Sequence, residues 1–206
     1  DNKRYYLKDG PAAYEIMRYL SLGITTANLS LISIGDLPTA PDGSYQYEEK
    51  SLTVGGEVFS TKILAIDLAT PGLQILTDTA SDYDCDADCP VKPLASYVEA
   101  NQAFAGINCS YFCAADYANC LTSKNYFYFP VYNSRLNKMI NADQLKWPTT
   151  GPILVFDTNN KPYLILSTQT FKDVGTFETA YNTKIRAAIG NNPALVSNGQ
   201  NIIGSQ

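Results

Sequence analysis

The chain contains no histidine among its 206 residues. That removes Ser-His-Asp and Cys-His nucleophile pairs, and histidine-ligated zinc, from the mechanisms open to it. Acid–base work falls to Asp, Glu, Tyr, Lys, Cys or water. Charge is also scarce, at 17% of residues, with a formal net charge of −5. No basic surplus is available to neutralise a phosphate backbone, so nucleic acid is not an expected partner. No apolar run approaches the ~20 residues of a membrane-spanning helix. An initiator Met and a basic-then-apolar leader are both missing, so the sequence is expected to start after processing or to be part of a longer one.

What is present points to a folded domain. Hydrophobic residues make up 45%, too many for a disordered chain. The length suits one substantial core. Fifteen tyrosines and frequent asparagines wet the surface with hydroxyls and amides rather than charge, a composition common outside the cell.

All five cysteines, Cys85, Cys89, Cys109, Cys113 and Cys120, lie close together. Such clustering suggests local disulfides formed in an oxidising compartment, with the odd cysteine free or bonded to another chain. Incidental thiols and a zinc site are the alternatives, and the Cys-x3-Cys spacings are loose for zinc. Within this stretch Asp84, Asp86 and Asp88 fall at every second position. That matches the 1, 3, 5 oxygen spacing of calcium loops, although the later Glu and the Gly of an EF-hand are missing. Ca²⁺ is therefore a candidate ligand, and a solvated acidic loop pinned by a disulfide is the plainer account.

Along the chain, Asp9-Gly10-Pro11 opens a helix expected over Pro11–Leu22, followed by an extended stretch, Ile24–Ile34. Asp36–Ser44 reads as a loop, and residues 1–50 are set apart from a main domain over 51–206. Glu57–Leu68 suggests a strand moving into the core, and Leu73–Thr77 the next strand. A helix is expected over Pro93–Gln102, then a short buried strand over Phe104–Ile107. The run Tyr126–Tyr132 is apolar on both faces and could be a core strand, a sugar-stacking surface or a subunit interface. A hairpin is expected around Asp157–Lys161, a helix over Thr176–Ala188 ending at Gly190, and a second hairpin at Asn198-Gly199. This order implies an α+β fold, a single disulfide-bearing domain with a mixed sheet and about three helices.

Several segments, in order, resemble the phosphodiester glycosidase family, which includes the enzyme that removes N-acetylglucosamine to uncover mannose 6-phosphate. They are Ile66-Asp67-Leu68 with Pro71-Gly72, the helix carrying Leu94, and Ala105-Gly106-Ile107-Asn108-Cys109-Ser110-Tyr111-Phe112. Gly151-Pro152-Ile153-Leu154-Val155-Phe156-Asp157 and Ala188-Ile189-Gly190 through Ser197-Asn198-Gly199 follow. The family's central motif reads approximately Ala-Ile-Asn-Gly-Gly-Phe-Phe, so Cys109 and Ser110 stand where it has glycines. The family also continues with an Arg-Thr-Ala-type strand and a glycine-rich Asp-Gly-Gly-Gly-Ser segment, and neither occurs before Gln206. The resemblance implies a secreted or lumenal hydrolase acting on a sugar-1-phosphodiester, needing no cofactor. Other chain segments would then complete the domain.

On this reading Asp67 and Asn108 are the catalytic candidates, and Ser110, Tyr111, Asn198 and Gly199 contact substrate. Glycosidases usually place two carboxylates across the scissile bond, and Asp116 and Asp157 are further candidates. Asp67, in an expected strand, is equally readable as a backbone cap. Asn108 is a ligand-orienting amide, a turn-satisfying Asn or a glycan acceptor, since Asn108-Cys109-Ser110 fits the sequon, as does Asn28-Leu29-Ser30. The competing function is a non-catalytic carbohydrate-binding or structural module of an extracellular assembly or filament.

Overall fold

A computed structural model describes residues 45–147 and 151–202, all within one compact unit, Pro38–Gln206. The expected helix at Pro11–Leu22, the stretches Ile24–Ile34 and Asp36–Ser44, and the Asn28 sequon lie outside the described residues. The protein is α+β and carries two disulfides, Cys85–Cys89 and Cys113–Cys120.

Strands β1 (Tyr45–Val54) and β2 (Glu57–Ile66) form an antiparallel hairpin, paired from Tyr45 with Ile66 to Val54 with Glu57. Gly55 and Gly56 make the turn at φ of 59° and 89°. A two-residue turn with positive φ at both positions matches strand twist, and glycine adopts it without steric cost. The boundary expected at residues 50 and 51 falls inside β1. The Glu57–Leu68 stretch does not move into a core: Val58 is 69% and Leu64 41% exposed. Its ladder partner is another exposed strand, so the alternation of side chains has no buried face to serve.

The main sheet contains β3 (Val131–Asn133), β4 (Lys138–Ile140), β5 (Ile153–Asp157), β6 (Pro162–Ile165) and β7 (Ile185–Gly190), in the order β4-β3-β7-β5-β6. Every pairing is antiparallel, where a mixed sheet was expected. The reason is topological. β6 and β7 run in the same direction, but β5 lies between them, so the crossover adds no parallel ladder. The crossover itself carries α2 (Thr168–Phe171) and α3 (Val174–Tyr181). Phe171 and Phe177 come from these helices onto Tyr132, Val155, Ile165 and Ala188 of one sheet face, and this layer is the core.

Two expected elements change type. The helix expected over Thr176–Ala188 starts early, where Asp173 Oδ1 accepts the Thr176 N–H at 2.8 Å. It ends at Tyr181 because Asn182 takes left-handed φ and ψ of 49°. Ile185–Gly190 then becomes the central strand, with Gly190 ending it rather than a helix. A Cβ on Gly190 would lie 2.8 Å from Pro130 Cδ, so this crossing admits only glycine. The expected strand Leu73–Thr77 is irregular. Side chains replace a ladder there: Asn160 donates to the Leu73 carbonyl at 2.8 Å, and Ser134 Oγ accepts the Thr77 N–H at 2.9 Å.

Helix α1 (Leu94–Ala100) forms close to its expected position. The short hairpin of β8 (Val196–Ser197) and β9 (Gln200–Asn201) also forms, turning at Asn198 and Gly199 with φ of 50° and 74°.

The disulfide loops are knitted to each other. Cys89 N–H donates to the Lys124 carbonyl at 3.1 Å, and Asn125, whose N–H donates to the Cys113 carbonyl at 2.6 Å, gives its side-chain amide to the Cys89 carbonyl at 3.2 Å. In the chain-entropy account, closing loops this short is worth about 2 kcal/mol each. Urea unfolding with and without reductant should differ by about 4 kcal/mol. A difference near zero would show that this region does not share the cooperative transition.

Candidate functional site

The segment with the family resemblance begins where the chain passes α1. A Cβ on Gly106 would sit 2.7 Å from Val98 Cγ2, so glycine permits this close approach. The short buried strand expected over Phe104–Ile107 does not form. The stretch is irregular and Ile107 is 84% exposed, because no neighbouring strand offers it a ladder. Tyr45, opposite Ile66 at the foot of the hairpin, places its ring 5.7 Å from that of Phe104.

Asn108 is exposed, and its side chain makes no hydrogen bond among the described residues. Ser110 holds φ at 73°, and its hydroxyl donates to the Tyr111 carbonyl at 3.4 Å. A non-glycine residue in this region costs on the order of 1–3 kcal/mol, and such strain concentrates at functional sites. Cys109 is free and exposed.

The far side of the loop is anchored. Phe112 bridges to Phe127, and Cys113 N–H donates to the Tyr126 carbonyl at 2.8 Å. This anchoring stacks aromatic rings. Tyr111 lies 6.3 Å from Phe129, and Tyr128 lies 5.5 Å from Phe129 and 6.3 Å from Tyr126. Phe129 is buried beneath, while Tyr111 remains 65% exposed. The Tyr126–Tyr132 run therefore divides: Phe129, Val131 and Tyr132 are interior, and Tyr126 and Tyr128 are half-buried beside the loop. Tyr111 and Phe129 are distant in the chain, and the Phe112–Phe127 bridge with the Cys113–Tyr126 hydrogen bond brings them together.

The carboxylates have other duties. Asp67 lies just past β2 rather than within a strand. Its Oδ1 accepts the Ala69 N–H at 2.9 Å, an Asx turn at an exposed position. Asp116 is exposed in the turn enclosed by Cys113–Cys120. Asp157 is buried and accepts four hydrogen bonds. They come from the Asn159 and Lys161 N–H groups at 2.8 and 2.9 Å, and the Tyr163 and Thr183 hydroxyls at 3.2 and 3.0 Å. Burial by itself raises its pKa, but these four donors outweigh burial and hold it below the ordinary carboxylate value. A carboxylate so saturated organises the β5–β6 turn and has no lone pair aimed at solvent.

Asp84, Asp86 and Asp88 do not assemble a cation cage. Asp84 Oδ1 accepts the Asn141 N–H at 2.6 Å, and Asp88 takes a φ of 49° within the Cys85–Cys89 loop. No group of three or more acidic or cysteine side chains among the described residues is placed to share a metal ion. The 1, 3, 5 spacing needs a loop that folds inward, and the disulfide imposes a different turn. Asn198 and Gly199 are exposed at the β8–β9 turn, where positive φ accounts for both residue types.

No family model, curated protein or solved structure matches the chain. Among the described residues no helix is long and apolar enough to cross a membrane.

Proposed function

We propose that this domain binds carbohydrate outside the cytoplasm, through Asn108, Ser110 and Tyr111 over the aromatic residues Tyr126, Tyr128 and Phe129. The observation that carries this reading is the exposed Tyr111 ring backed by Phe129, next to an Asn108 amide with no internal partner. An exposed ring supplies a flat apolar face for sugar C–H groups, and an amide supplies both donor and acceptor for sugar hydroxyls. Neither Ala105–Cys113 nor Tyr126–Phe129 contains Lys or Arg, so the loop addresses the sugar rather than a phosphate. Two disulfides support an extracytoplasmic location.

A catalytic version, hydrolysis of a sugar-1-phosphodiester with Asp67 and Asn108, is favoured by the ordered family-like motifs from Ile66 to Gly199. Its distinguishing measurement is release of sugar from a sugar-1-phosphodiester, abolished by Asp67→Asn. Binding without turnover would leave the carbohydrate-binding module.

A screen against immobilised neutral glycans tests binding itself. Removing the ring with Tyr111→Ala should weaken binding about tenfold, the loss of about 1.4 kcal/mol of stacking. Asn108→Ala should weaken it further without altering the melting temperature. The proposal fails if no glycan binds, or if Tyr111→Ala binds as well as the parent chain.

A further inference from the structure

Among the described residues the β1–β2 hairpin forms a two-stranded sheet, and every residue of β1 is exposed. A lone hairpin is marginal in water; a third strand or a covered face is normally required. Its two outer edges differ in chemistry. β1 carries Glu48, Glu49 and Lys50 at its middle, whereas the interior of β2 carries one charge, Lys62, and no proline. Charges and proline are how sheet edges are protected, so the β2 edge is the unprotected one.

The two-residue turn makes Val54 and Glu57 a hydrogen-bonded pair. Alternation then turns the backbone groups of Phe59, Thr61 and Ile63 toward β1. Those of Val58, Ser60, Lys62 and Leu64 face outward. A second copy approaching antiparallel, with a two-fold axis through Thr61, sets Ser60 opposite the partner's Lys62. Val58 then meets the partner's Leu64, and Phe59 the partner's Ile63, each contact occurring twice by symmetry. Apolar side chains meet on both faces and no like charges are opposed. Symmetric pairing of the β1 edge about Glu48, Glu49 or Lys50 opposes like charges at its centre.

We infer that the protein forms a two-fold dimer by joining β2 to the β2 of a second copy, giving a four-stranded antiparallel sheet. The occupant is identified by this self-complementary register: apolar positions sit symmetrically about Thr61, with Val58 69% and Phe59 49% exposed to receive them. The inference is independent of the carbohydrate reading.

Sedimentation equilibrium of the chain over a concentration series tests it. A monomer–dimer equilibrium is expected. Ser60→Pro deletes an outward N–H that β1 does not use, so it should weaken the dimer about tenfold or more. Its circular dichroism and melting temperature should match the parent's. Ser51→Pro, on the outer edge of β1, should leave the dimer intact. At the axis the two Thr61 residues form a non-hydrogen-bonded pair, about 4.5 Å apart at Cα, within disulfide range. Thr61→Cys in a Cys109→Ser background should therefore give an interchain disulfide. A chain that stays monomeric at every concentration overturns the inference, whatever else covers this edge. So does a dimer that survives Ser60→Pro and fails to cross-link at position 61.

Discussion

Replacing Asp157 with alanine should lower the stability of the protein by about 3 kcal/mol at neutral pH. The residue is 3% exposed and serves four donors. Alanine removes the acceptor for the Asn159 and Lys161 N–H groups of the β5–β6 turn and for the half-buried Tyr163 and Thr183 hydroxyls. Hydrogen bonds to a charged group are worth more than neutral ones, and all four to the Asp157 carboxylate are lost together. Asp157→Asn should cost less, because an amide oxygen can still accept both N–H groups and the hydroxyls can rotate to accept from the amide.

The pH dependence has a definite sign. The folded-state pKa of Asp157 lies below its unfolded value. Its contribution is therefore complete above about pH 4 and is lost as pH falls through the lower folded value. Urea titrations at pH 7 and at pH 3 should show the gap between parent and Asp157→Asn shrinking at the lower pH. A gap that stays constant, or an alanine variant as stable as the parent, would remove Asp157 from its structural role.

Phe177→Ala should have a larger effect, about 4 kcal/mol. Phe177 is 1% exposed and lies 5.3 Å from Tyr163, 4.6 Å from Tyr181 and 5.6 Å from Phe171, between ring centroids. It is the main anchor of α3 on the sheet. The helix has only eight residues, too few to persist without packing. Removing the ring leaves a cavity that three neighbouring rings cannot fill, because β6 and α3 hold two of them in place. The denaturation midpoint and near-ultraviolet dichroism should fall together. A loss below about 2 kcal/mol would mean that the layer collapses to fill the space.

The loop carrying Tyr111 and the hairpin follow different rules. Around Tyr111 the backbone is irregular, but it is pinned by the Phe112–Phe127 bridge and the Cys113–Cys120 disulfide. Such anchoring holds an exposed ring and an unpartnered amide in place without a regular element beneath them. The hairpin instead is regular throughout, and among the described residues every position of β1 is exposed. Its β2 edge is the one the proposed pairing with a second copy would extend.

Local signals told the truth where the physics is local. Asn198-Gly199 and Asn160 turn where their φ preference demands it, Pro93 precedes α1, and the crowded cysteines form short disulfide loops. No histidine and little charge bounded the chemistry without any coordinates, and the α+β class followed from the order of elements. Elements that depend on distant partners were not legible. Glu57–Ile66 has the composition of a core strand, yet among the described residues it pairs only with β1. Ile185–Gly190 has helical spacing, yet it becomes the central strand because β3 and β5 flank it. Asp84, Asp86 and Asp88 have calcium-loop spacing, but the Cys85–Cys89 bond and the Asn141 N–H direct them elsewhere. The same division holds for the site. Asn108 and Tyr111 entered as candidates through the family resemblance, whereas burial of Phe129 beneath Tyr111 arose only in three dimensions. Turns and caps are decided by the torsions of a few neighbouring residues. Burial and strand pairing are decided by what the rest of the chain brings alongside.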